Sequence, residues 1–227
     1  MPIAKVLATF KTSLSQCDNL IANAHQIHAG GQYFLPSLDR EQITVAAFLN
    51  LFIAWETFLE KSLANFMAGA ATVNGRAPVR YVVPPSIDVA RAMIIGNRAY
   101  FDYANNTYVR TVVKLYFKDG DPYEPHLAGI DGDLNDLKTM RNSAAHMSAS
   151  TQTKLEGLAL RIFGSPRPEV SLYQMLTSVD PRSTAGETVI LSYKNKLIAA
   201  AELIPMDDTK HEYNRRIHGR AGGTTPQ

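Results

Sequence analysis

Apolar residues recur along this chain at spacings of three and four, and no run sustains a period of two. Val6, Phe10, Leu14, Cys17, Leu20 and Ile21 form a stripe that predicts a first helix over 3–29, stopped by Gly30 and Gly31. A second helix opens at "LDREQ", where Asp39 and Gln42 read as a capping box, and runs to about Met67. The stretch "AATVNGRAPVRYVVPP", 70–85, breaks the pattern. Asn74-Gly75 signals a turn and Pro84-Pro85 bar a helix, so a loop or small hairpin is expected there. Ser86 or Asp88 starts a short helix to about Asn97, and another covers 106–117. "KDGDPYEPHLAGIDGD" reads as a loop, and helices follow over about 133–148, 151–163, 168–178 and 186–204. The expectation is an all-α domain of antiparallel helices over 1–205, with a basic tail over 206–227 whose "HGRAGGTTPQ" end predicts disorder.

Composition sets limits on this picture without changing it. A hydrophobic fraction of 45% in 227 residues supplies an ordinary core, and a net charge of +2 does not by itself imply nucleic acid. The single Cys17 excludes an intrachain disulfide framework and a cysteine-based zinc site. The N-terminus makes a poor signal peptide, and the longest apolar run, "ITVAAFLNLFIAW", is short for a bilayer and interrupted by Asn50. A cytoplasmic location with no membrane association is the default expectation. Neither a phosphate-loop glycine pattern nor H-E-x-x-H is present.

Two places carry polar groups where the pattern asks for apolar or inert ones. Leu49, Phe52, Ile53, Leu59 and Leu63 lie one or two helical turns from Glu56, so its carboxylate points along an apolar stripe. Unpaired, it costs several kcal/mol there; it takes up a proton, meets a cation such as Arg141, or sits at the margin and reaches water. The second place is "LKTMRNSAAHMS", 137–148. On an ideal helix Asn142 and His146 fall within about 40° of each other, while Arg141 is about 140° from His146. Ser143, Ala144 and Ala145 leave room for Arg141 to sweep round and for a phosphate to approach. A histidine moves protons near neutrality, an arginine fork holds a phosphodiester, and asparagine orients either. A solvated surface histidine explains the same letters equally simply.

"MRNSAAH" resembles the R-x4-6-H signature of HEPN domains, and "FIAWETFLEKSL" is similar to the acid-bearing helix that precedes it in RloC-associated (RiboL-PSP-type) members. The resemblance spans roughly residues 3–205, although only these two stretches are specific. It implies an antiparallel helical bundle that pairs into a homodimer, and a metal-independent endoribonuclease without cofactor whose two motifs line a shared cleft. It also implies an RNA substrate and a toxin–antitoxin or anti-phage setting, with an antitoxin or neighbouring defence protein as partner. Carried over residue by residue, Arg141 holds phosphate, His146 is the acid/base, Asn142 supports them and Glu56 matches the helix acid by position. Many family members paired with a nucleotidyltransferase antitoxin carry a tyrosine shortly after the histidine; "HMSAS" has none. A non-catalytic HEPN-like module that binds RNA or nucleotide, or that dimerises, is the alternative, as is a scaffold for a catalytic partner.

Arg91, Arg98, Arg110, Lys114 and Lys118 are spread over two helices, interleaved with Tyr100, Phe101, Tyr103 and Tyr108. They form either an RNA groove or solvated helix faces with aromatic core contacts. His25 and His28 lack the third ligand of a metal site and suit a helix C-terminus. His126 sits in the expected 118–133 loop, which lacks calcium-loop spacing.

Overall fold

The computed structural model describes residues 2–146 and 148–206. Among them all regular structure is helical, with isolated bridges but no strand. The elements are α1 (Ile3–Ala24), α2 (Ser37–Met67), α3 (Ile87–Ile95), α4 (Asn106–Tyr116), α5 (Glu124–Gly129), α6 (Asp131–Ala145), α7 (Ala149–Phe163), α8 (Leu172–Thr177) and α9 (Val189–Met206).

The second helix, α2, is the axis of the bundle. It buries Phe48, Leu51, Phe52, Trp55, Phe58, Leu59, Leu63 and Phe66 and touches α1, α3, α6, α8 and α9. By length and composition it is apolar enough to cross a membrane, which the interrupted run above did not suggest; half of its most apolar window is buried inside the protein. Phe10 of α1 packs on Trp55 and Phe58 while His25, beyond the end of α1, reaches Thr44, so α1 and α2 run antiparallel. Lys11–Glu202 and Asp18–Lys194 pairs set α9 antiparallel to α1.

Several boundaries differ from the expected ones, each for a local reason. The first helix ends at Ala24 instead of residue 29, because 25–36 folds into a loop closed by an Ile27–Tyr33 bridge, with Gly31 at φ +81 in the turn. No Asp39 capping box forms: α2 starts at Ser37 behind Pro36, and Asp39 lies in the first turn, where its charge suits the helix dipole. The 118–133 segment is more ordered than its Gly, Pro and Asp content suggests, since fully buried Tyr123 and Leu127 anchor α5. His126 therefore lies on a helix. The expected helix over 168–178 shrinks to α8, with Glu169 at φ +57 just before it. Ser86 caps α3 as expected.

Segment 70–85 is a loop, tied by an Arg80–Phe117 bridge. Its two arginines serve structure: Arg80 donates to the Met67 carbonyl at the end of α2, at 2.8 Å, and Arg76 pairs with Asp121 at 2.5 Å. Of the tail expected over 206–227, Met206 ends α9 and 207–227 lie outside the described residues.

Candidate functional site

The α6 helix buries Leu134, Asp136, Leu137 and Met140. That face leaves Arg141, Asn142, Ser143 and Ala144 half-buried along its flank, against α2. The two helices are antiparallel. Lys138 and Arg141 stand level with Glu56, whereas Ser143 and Ala144 share a cavity wall with Val45 and Glu41 nearer the start of α2.

At the Glu56 end, four charged groups from three elements converge. Burial pushes the Glu56 carboxyl above its ordinary range; Arg141 and Lys138 pull it down and Asp102 pushes it up. Lys138 reaches Asp102 at 3.4 Å. Among the described residues Glu56 has no ion pair within 4 Å, so the cation it was expected to meet is near it without closing on it. Arg141 donates instead to the Asn142 side-chain oxygen at 3.2 Å. The pair Lys138 and Asp102 was missed in the sequence, although Lys138 lies three residues before Arg141 and so shares its face.

His146 departs from the helical-wheel expectation. The last helical residue is Ala145, and His146 is extended, at φ −140 and ψ 101. Its side chain is exposed, and its backbone is pinned from three directions. Its N–H donates to the Asn142 carbonyl at 3.0 Å, while its carbonyl accepts from the Ser148 N–H at 3.1 Å and from the Thr151 hydroxyl. Ser148 and Thr151 form the reciprocal cap of α7. The 40° estimate for Asn142 and His146 therefore does not apply, and Asn142 bonds Arg141 rather than the imidazole. Within one chain Arg141 flanks the Glu56 cluster while His146 marks the exposed end of the same strip.

Arg91, Arg98, Arg110 and Lys114 do not line up as a set of free cations. Arg110 and Lys114 both hold Glu124, at 2.6 and 2.8 Å, and Arg110 also reaches Asp131 at 3.5 Å. Arg91 pairs with Glu60 and Asp88, and Arg98 lies over the Tyr108 ring at 4.9 Å. Phe101 is buried with Tyr103 against it, while Tyr100 is exposed. Among the described residues no group of three His, Cys, Asp or Glu side chains is placed to hold a metal.

A cavity of about 530 Å³, unannounced by any motif, opens beside the small residues of the strip. Its walls include Glu41, Ser143, Ala144, Thr151, Gln152 and Tyr173. Comparisons with protein-family models, curated proteins and solved structures found no match.

Proposed function

We propose that the chain is a metal-independent endoribonuclease of HEPN type, acting as a homodimer in which two α6 strips face one cleft. The observation that carries this reading is the strip itself. A half-buried guanidinium oriented by its neighbour's amide stands beside an unpaired carboxylate, and five residues on an exposed imidazole sits on a pinned backbone, with only small side chains between. Arg141 would grip the non-bridging oxygens of a phosphodiester. His146 would take the proton of the 2′-hydroxyl as that oxygen attacks phosphorus, or return one to the 5′-oxygen as its bond to phosphorus breaks. The resemblance of "MRNSAAH" to the HEPN signature supports the assignment, as does the antiparallel helical context.

The separation of the imidazole from Arg141 within one chain favours a second reading, a HEPN-like module that binds RNA or nucleotide without cutting it. Incubation of the protein with total RNA in EDTA decides between them. Cleavage lost in both His146→Ala and Arg141→Ala is expected. Cleavage that survives both substitutions removes the site, and cleavage abolished by EDTA removes the metal-independent chemistry. Toxicity on expression, relieved by His146→Ala, would place the activity in a toxin–antitoxin or anti-phage setting with a controlling partner.

A further inference from the structure

We infer that the cavity beside the strip is a guanine-binding subsite; the inference rests on the ribonuclease reading for its role in cleavage, but not for the binding itself. At about 530 Å³ it lies within the range of small-ligand sites and has room for a nucleobase with its ribose. Its described lining contains no lysine or arginine to pair with a phosphate. It does contain the half-buried Glu41 carboxylate, which has no ion pair or hydrogen bond to any described residue. A carboxylate presents two adjacent acceptors. Among the four RNA bases only guanine places two N–H donors, N1–H and the N2 amino group, side by side on its pairing edge. Single-stranded bases are read on that edge while stacked on an aromatic ring.

The ring is Tyr173, half-buried in the cavity wall and held in place. His25 stacks on it at 6.0 Å with 17° between planes. Thr44 gives its hydroxyl proton to the Arg40 carbonyl at 2.7 Å, so its oxygen accepts from His25 Nε2 at 3.1 Å and fixes that ring in turn. The same wall segment holds a strained residue. Glu169 keeps a left-handed φ of +57, and its N–H donates to Glu156, which also accepts from Gln152 of the wall. Such conformations cluster where a ligand is held. The cavity also connects to the proposed chemistry, because Thr151 of its wall bonds the His146 carbonyl and Ser143 and Ala144 belong to the strip. A guanosine seated there would send its ribose–phosphate over the small residues toward His146.

Calorimetric titration of the full chain with each of the four nucleoside 5′-monophosphates tests this. Guanosine monophosphate should bind about tenfold or more tightly than the other three, the scale of a bidentate base contact. Glu41→Gln, nearly isosteric, should erase the preference, and Tyr173→Leu should weaken all four. Equal binding of the four, binding of none, or a guanine preference that persists in Glu41→Gln overturns the assignment. The two readings fail separately. His146-dependent RNA cleavage without preference for sites next to guanosine sinks the subsite alone. Guanine-selective binding by a chain that leaves RNA intact sinks the nuclease alone.

Discussion

Asp136 and Arg141 sit five residues apart on α6 under opposite conditions. Asp136 is almost fully buried and fully engaged: Tyr193 donates to it at 2.6 Å, Arg161 donates from both terminal nitrogens, and Arg182 lies over the Tyr193 ring. Close by, fully buried Asp180 accepts two side-chain bonds and one backbone bond from Arg182, and its carboxyl is held down to about 2. Arg141 donates to one neutral amide at 3.2 Å, and among the described residues Glu56 across from it has no ion pair within 4 Å. Both oxygens of Asp136 and of Asp180 have donors, because each unmade bond to such a buried group costs about 1–3 kcal/mol. Groups left short of partners at a half-exposed face retain capacity for something that arrives.

That contrast breaks most visibly if function and stability fail together. His146→Ala is expected to reduce RNA cleavage by about 10²–10⁴, the scale of a lost acid/base group, and Arg141→Ala by about 10²–10³. Neither should lower the unfolding free energy read from urea titration by more than about 0.5 kcal/mol, since His146 is exposed and the hydrogen bond of Arg141 goes to a neutral amide. A large stability loss in either variant would put the strip in the same class as the Asp136 network.

Asp136→Ala should do the reverse. It strands the buried Tyr193 hydroxyl and removes the anion from Arg161, for a loss of about 2–3 kcal/mol, moderated because Arg161 is 57% exposed. Denaturant unfolding at neutral pH reads this directly. A loss below about 1 kcal/mol would show that the network is decorative.

Asp180→Asn sharpens the same side through pH. The folded carboxyl titrates near 2 against an ordinary 3.8, so its contribution is complete above 3.8 and disappears as pH falls through the folded value. The wild type should exceed the variant by about 2 kcal/mol at pH 7. The gap should close toward pH 2. A gap independent of pH would mean that the amide lacks something other than charge.

The two regions also differ in how far they could be read from sequence. Helical periodicity placed α1, α2, α4, α6, α7 and α9 because each has an apolar face long enough to count, and the all-α class followed. It missed α5, whose six residues are held by Tyr123 and Leu127, and it ran α6 past Ala145 because small residues give no stop signal before His146. The apolar pattern drew attention to Glu56, whose carboxyl is raised by burial with Arg141 opposing, although Ile53 of that stripe is exposed. Asp136 was invisible: its partners come from residues 161 and 193, and no local pattern foretells an ion pair across that separation. The cavity was invisible for the same reason, being assembled from α2, α6, α7 and the 169–173 segment.

Glu56 gives the smallest effect and the finest discrimination. Its folded carboxyl is raised, first by burial, with Arg141 and Lys138 opposing that and Asp102 adding to it. For a raised acid the folded state holds the extra proton between the ordinary value of 4.5 and the folded one, so stability falls as pH rises through that window. Above the window the wild type carries the cost of burying a charged carboxylate, reduced by Arg141 and Lys138 and increased by Asp102. Glu56→Gln should therefore be more stable than wild type at pH 7, by under about 1 kcal/mol, and the two should converge below pH 4.5. Paired urea titrations at pH 7 and pH 4 measure the difference. A variant less stable at pH 7 would mean that Arg141 outweighs burial and that the two already form a closed pair. Arg141 would then have no reserve for phosphate, and the distinction between the two ends of α6 would collapse.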